Sequence, residues 1–245
     1  MEIRREEPKD RAAVEALTRK AFYNVYTPGC TEHYLVHIMR EHEDFIPELD
    51  FVLELDGQII GNIMYTKAWL RDGEGNKKEI LTFGPVSIDP AYQRMGYGKK
   101  LIEYSFEQAA ALGYDVIVIF GNPGNYVSRG FKSCLRYHVS LEDGKYPAGM
   151  LVKELRPHAL DRRRWFYHGS AVMSFSPEEA ERYDGTLEKW KRNICPARKN
   201  SILSVIHLLK NRRPEGKTIS ISPPQRAAAP ESLFPHRFPD RLRSA

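Results

Sequence analysis

The run Gln93-Arg94-Met95-Gly96-Tyr97-Gly98-Lys99 has the residue types needed to grip an anion. Glycines at 96 and 98 admit backbone angles closed to other residues and carry no side chain. Consecutive N–H groups can therefore converge on a negative charge at the start of a helix. A diphosphate fits that chemistry. Two familiar phosphate motifs do not fit: no Gly-Lys-Ser/Thr follows a four-residue spacer, and Leu101 stands where a dinucleotide fingerprint has its third glycine. A second polar group follows in Asn122 and in Tyr126-Val127-Ser128-Arg129-Gly130-Phe131.

The elements that must position these residues are legible around them. Apolar residues before Asp89-Pro90 read as a strand halted by the proline. Leu101, Ile102, Tyr104, Ser105, Ala109 and Leu112 then recur at helical spacing up to Gly113, and Tyr114 to Phe120 is apolar enough for a central strand. The order is strand, glycine turn, helix, strand.

With both groups in view, the chain resembles the GNAT superfamily of N-acetyltransferases. Gln93-Arg94-x-Gly96-x-Gly98 is similar to the acyl-CoA-binding signature of that family, Gln/Arg-x-x-Gly-x-Gly/Ala at a strand-to-helix turn. Asn122 followed by Tyr126 to Phe131 resembles its Asn…Tyr-x-x-x-Gly-Phe helix. Two signatures in order, one helix and one strand apart, weigh against an ordinary βαβ unit with turn glycines. The likeness covers about Met1 to Leu155, and Glu154 to Leu160 looks more loosely like the predicted YhbS-type acetyltransferases.

The resemblance implies an α/β (α+β) fold with a mixed, mostly antiparallel sheet whose middle strands splay apart, flanked by helices. It implies acetyl-CoA as cosubstrate, an amine as acceptor and direct transfer in a ternary complex. Val86, Ser87 and Ile88 are assigned to the pantetheine arm and Arg94, Met95, Gly96, Tyr97, Gly98 and Lys99 to the diphosphate, with Gln93 counted among the cofactor-binding residues. The N–H of Val86 is the candidate for polarising the thioester carbonyl, an oxyanion-type role. Asn122 is expected to bond the pantetheine or shape its site, and Tyr126 matches the general acid. A phenol, with a reference pKa of about 10, stays protonated at neutral pH yet can protonate a leaving thiolate. The bland alternative is a core tyrosine packed on Phe131.

No base is assignable. Where some relatives have a glutamate five residues before the asparagine stands Ile117, and Glu79, His138 and Glu32 are weighed without a choice. His33, His37 and Glu41 share one flank of an expected helix over 31–41, capped by Thr31, but an exposed polar face explains that spacing and no metal site is assigned. Cys134 reads as a small buried residue rather than a nucleophile.

Elsewhere, Ile3-Arg4 reads as a short strand before a helix carrying Val14, Leu17, Ala21 and Phe22. Phe51 to Leu70 reads as a hairpin with an Asp56-Gly57 turn and a bulge at Gly61. Gly84-Pro85 breaks regular pairing in a long strand from Lys77 to Ile88, because proline has no donor for the ladder. Arg136 to Leu141 and Gly149 to Leu155 read as closing strands.

The 245 residues, 42% apolar and 28% charged, suit a globular chain with a real core. No signal-like start or membrane-length run is expected, and three cysteines without a Cys-x-x-Cys pair suit a reducing cytoplasm. Three regions are expected: a catalytic domain over 1–156, an extension over 157–210 packed on it, and a flexible basic, proline-rich tail over 211–245. From Lys189 onward, 13 Lys and Arg face three acids, a net of +10, leaving −5 for residues 1–188. That tail keeps a nucleic-acid-associated protein in play beside a non-catalytic acyl-CoA sensor, though nucleic acid is not the favoured partner. A homodimer is left open.

Overall fold

The computed structural model describes residues 1–193. Cys195, the apolar stretch at 201–209 and the basic tail at 211–245 lie outside the described residues.

Strand β1 (Glu2–Arg5) opens the chain and leads into helix α1 (Arg11–Phe22), then α2 (Glu32–Met39). Strands β2 (Phe51–Leu55), β3 (Gln58–Asp72) and β4 (Lys77–Ile88) form an antiparallel meander. The β2–β3 turn places Asp56 and Gly57 at φ 51° and 78°, the double positive-φ turn that suits strand twist. A register shift opposite Ile60 makes the expected bulge beside Gly61. Next come α3 (Tyr97–Ala111), β5 (Val116–Phe120) and the short α4 (Pro123–Tyr126). Strands β6 (Lys132–Ser133), β7 (Val139–Ser140), β8 (Met150–Glu154) and β9 (Trp165–His168) follow, and α5 (Pro177–Asp184) is the last helix described.

The nine-stranded sheet runs β1-β2-β3-β4-β5-β8-β6, with β9 attached to the far end of β3 and β7 to β9. One face carries Tyr65, Leu81, Phe83, Ile117 and Phe131 against Leu101, Ile102, Phe106 and Ala109 of α3. The α3 stripe is the one the helical spacing predicts, except that Leu112 at its end is half exposed. The other face carries α1 and α2, packed through Val14, Leu35, Val36 and Met39 onto Val52 and Met64.

Three expectations change. Arg136 to Leu141 is a 3-10 turn, Cys134–Tyr137, followed by a two-residue strand that pairs in parallel with β9, because the closing strand position beside β8 is taken by β6. Residues 165–168 join the central sheet, pairing antiparallel with Trp69 to Asp72. On α2, His33 is fully buried rather than part of a polar flank, and Thr31 makes no side-chain cap; the Glu32 carboxylate accepts the Thr31 N–H at 3.0 Å instead.

Candidate active site

The decisive local feature is where β4 and β5 part. They are parallel neighbours paired at one position, Leu81 with Ile117, so β4 runs on past its partner with one edge uncovered. On its other side β4 stays bonded to β3, with a register shift where Gly84 and Pro85 stand opposite Met64. Asp89 N–H donates to Ile60 O at 2.8 Å, which fixes the phase of the ladder. In that phase Ile88 faces Gly61 and Val86 faces Ile63 at wide positions, where backbone N–H and C=O turn away from β3 toward the gap.

Ser87 is the exception among the three strand residues. Its backbone faces Asn62 at a narrow position and its fully buried side chain shares a 2.9 Å hydrogen bond with Thr18 of α1. Strand alternation makes one-in-two contact unavoidable. Ser87 therefore ties α1 to β4 and does not line the gap.

Below the gap, the turn before α3 is a concavity of backbone amides. Arg94 has φ 64° and Gly96 φ 89°, both left-handed, and α3 starts at Tyr97. Lys100 N–H is the first to find a carbonyl of the turn, Gly96 O at 3.1 Å; the amides before it have no partner inside the helix. Gln93 pins the turn to the strand, its Nε2 donating to Ile88 O at 3.0 Å. Met95 is 62% exposed and Tyr97 packs edge-on against Tyr92 at 6.1 Å; neither residue lines the cleft.

A continuous cleft of about 1500 Å³ joins these parts. It runs from Arg94, Gly96 and Lys99 past Val86, Ile88 and Asn122 to Tyr126, and on to a second lobe under α1 and α2. Asn122 caps α4 by accepting the Gly124 N–H at 2.9 Å, so its side chain shapes the turn. The Tyr126 ring lies against Phe83 (5.9 Å) and Phe131 (5.7 Å) while still facing the cleft. The ring thus packs in the core and also borders the cleft. Gly121 makes the position possible, because a Cβ there would sit 2.5 Å from the ring. Burial, followed by the nearby Tyr26 phenol, pushes the Tyr126 pKa up to about 12, so the phenol keeps its proton across the neutral range.

The second lobe is the part that spacing did not reveal. Its walls include Phe22, Tyr26 and Glu32 from the α1–α2 region, Glu142 and Asp143 from the loop after β7, and Tyr167, His168 and Ser170 from β9 onward. His168 Nδ1 is 2.8 Å from Glu142 Oε1, and Asp143 pairs with Lys145. Glu32 is 7% exposed, and burial pushes its carboxyl up to about 7 against the lowering effect of its own and the Thr31 amide. Glu79 and His138 do not reach this cleft; Glu79 accepts the Tyr114 hydroxyl on the far side of β4.

Behind the lobe, Arg19 Nε meets Asp184 Oδ1 at 2.9 Å, both nearly fully buried, and Arg192 meets Asp184 Oδ2 at 2.9 Å. Cys30 Sγ is 3.2 Å from His33 Nδ1, whose Nε2 is 3.3 Å from Asp184 without the alignment of a hydrogen bond. The order Cys, His, Asp is that of a thiol nucleophile relay. The thiol is buried outside the cleft lining, and burial first, then Glu32 and Asp184, raise its pKa. Burial also lowers His33 to about 4. That is the signature of an inert structural cysteine. Among the described residues no group of three His, Cys, Asp or Glu is placed to hold a metal ion. His37 instead stacks on Tyr183 at 4.5 Å.

Residues 19–134 match the family model for the Acetyltransferase (GNAT) family. This segment is a GNAT-family domain. The chain is 28% identical over 120 residues to the uncharacterised N-acetyltransferase YjhQ of Escherichia coli, covering 49% of this chain and 62% of that protein. It is 27% identical over 132 residues to the uncharacterised N-acetyltransferase YhbS of the same species, covering 54% and 74%. The match thus spans under two thirds of YjhQ. Among solved structures, E. coli YhbS in complex with CoA superposes with a TM-score of 0.62 at 23% identity, over 71% of this chain and 92% of that one. A GNAT acetyltransferase from Brucella melitensis in complex with acetyl-CoA gives 0.55 at 27% identity, over 70% and 96%. The GNAT fold is therefore established, and the family model stops at residue 134, before β9 and the far wall of the second lobe. No helix among the described residues is long and apolar enough to cross a membrane.

Proposed function

We propose that this GNAT protein is an N-acetyltransferase that moves an acetyl group from acetyl-CoA to a primary amine by direct attack within a ternary complex. The observation that carries the reading is the single-bridge contact between β4 and β5, with the amide-lined turn at one end and Tyr126 facing the same cleft. That arrangement offers backbone donors to a thioester arm and anion-binding amides to its diphosphate in one line. Relatives crystallised with CoA and acetyl-CoA support the choice of ligand.

Each residue then has a task. The backbone amides of the turn, with the side chains of Arg94 and Lys99, hold the diphosphate. The outward N–H of Val86 donates to the thioester oxygen as charge builds there, an effect of about 3 kcal/mol for a single preorganised donor. Tyr126 gives its hydroxyl proton to the departing thiolate. The second lobe holds the amine against the thioester, and orientation supplies much of the rate.

The test is release of free CoA thiol from acetyl-CoA in the presence of a panel of polyamines, aminoglycosides, lysine peptides and peptide N-termini. Amine-dependent thiol release with a matching acetylated product supports the reading. Tight acetyl-CoA binding without turnover on any amine moves the protein to the acyl-CoA sensor class.

A further inference from the structure

The second lobe contains a carboxylate that composition and spacing left among several. Glu32 is the first residue of α2, its carboxylate turned back over the helix start toward the Thr31 N–H, at the floor of the lobe. It is the one carboxylate of the cleft lining that is buried and has no ion-pair partner among the described residues. Glu142 is bound to His168, and Asp143 to Lys145. From this placement we infer that Glu32 is the general base that takes a proton from the acceptor ammonium. The inference rests on the transferase reading and adds the residue that reading lacks.

The reasoning is electrostatic. An incoming ammonium must shed a proton before its nitrogen can attack, and a buried, poorly solvated carboxylate such as Glu32 accepts a proton more readily than one in water. The proton needs a nearby acceptor whose affinity lies close to the working pH, and burial brings Glu32 into that range. The ionisable groups packed around it do not neutralise it. Cys30 and His33 adjoin it on the chain, with Arg19 and Asp184 paired to each other behind them, and Tyr26 and Tyr126 line the same cleft.

The proton count closes. The ammonium gives one proton to Glu32, the neutral nitrogen bonds to the thioester carbon, and the carbon–sulfur bond breaks as Tyr126 protonates the thiolate. The second nitrogen proton restores Tyr126, and Glu32 releases its own to solvent. The acceptor class follows: an amine that arrives as a cation on an apolar or aromatic stem, matched to Phe22 and Tyr26 on the wall.

The test compares wild type, Glu32→Gln and His168→Gln in kcat/KM against pH, using an amine found active in the panel. Wild type should lose activity below about pH 7 in a limb of one proton. Glu32→Gln should fall by about 100-fold at pH 7.5 and lose that limb, with acetyl-CoA affinity retained and Tm not lowered. His168→Gln should keep the limb. An unchanged rate and limb in Glu32→Gln overturns the assignment while leaving the transferase reading intact, and so does a limb that vanishes only in His168→Gln. A wild type that binds acetyl-CoA but acetylates no amine overturns both. Loss of acetyl-CoA binding in Glu32→Gln marks a structural residue and overturns the base.

Discussion

The two halves of the cleft are built on opposite plans. The half that would meet the diphosphate and pantetheine is made of backbone: amides at 94–99, wide ladder positions at Val86 and Ile88, and an edge of β4 left bare beyond Leu81. The half that would meet the amine is made of side chains drawn from α1, α2, the loop at 141–143 and β9. It is fastened from behind by the Arg19–Asp184 pair, with Arg19 also donating to Glu188 O at 2.8 Å and lying 4.3 Å from the Trp190 ring. The difference teaches where variation is tolerated. A backbone site survives most side-chain changes, whereas a side-chain site can be rebuilt for a new acceptor without touching the donor half.

The sharpest way to break this comparison is at Tyr126, where the halves meet. Tyr126→Phe should lower kcat by about 100-fold or more with acetyl-CoA affinity unchanged. Steady-state kinetics beside equilibrium binding of acetyl-CoA would show it, and an equal kcat removes the acid role. Gly121→Ala should mimic the loss, because its Cβ would displace the Tyr126 ring rather than the anion-binding turn.

Asp184→Ala strikes the fastening. It leaves the Arg19 charge buried without its carboxylate, a cost of about 3 kcal/mol, and the melting temperature should drop by roughly 6–12 °C. The surviving folded protein should bind acetyl-CoA normally and show a raised KM for the amine. A raised Kd for acetyl-CoA instead would mean the halves are not separable.

Gly96→Val strikes the other half alone. Open space surrounds a Cβ there, so the penalty comes from φ 89°, about 1–2 kcal/mol of strain that the turn relieves by moving its amides. Acetyl-CoA affinity should weaken by about tenfold in calorimetry, with kcat at saturation little changed.

A separate effect is a slope in stability with pH. The folded-state pKa of Glu32 is raised, so its contribution is fully present below the unfolded value near 4.5 and is lost as pH rises through about 7. Relative to wild type, Glu32→Gln should gain stability between pH 4.5 and 7 and run parallel outside that window. Urea titrations at several pH values would check it, and a flat difference would mean that Glu32 titrates in the ordinary range.

Sequence and structure agree where a feature is local. The Gly96-Tyr97-Gly98 turn, the α3 stripe from Leu101 to Ala109, the Asp56-Gly57 hairpin and the Gly84-Pro85 break all depend on neighbours within a few residues. Ser87 shows the limit: a motif assigns three consecutive residues, and strand alternation sends the middle one to Thr18. His33 shows another, since a polar residue at a polar spacing became a buried one once α5 closed over it with Asp184 and Tyr183.

The order of residues alone determined the local backbone of the proposed donor half, because turns, ladders and helix starts are governed by short-range backbone preferences written in glycine, proline and apolar period. The acceptor half was decided only by folding. Glu32, His168 and Glu142 lie more than a hundred residues apart at the extremes, and Arg19 is 165 residues from Asp184. Burial and partnership arise only when distant segments are brought together.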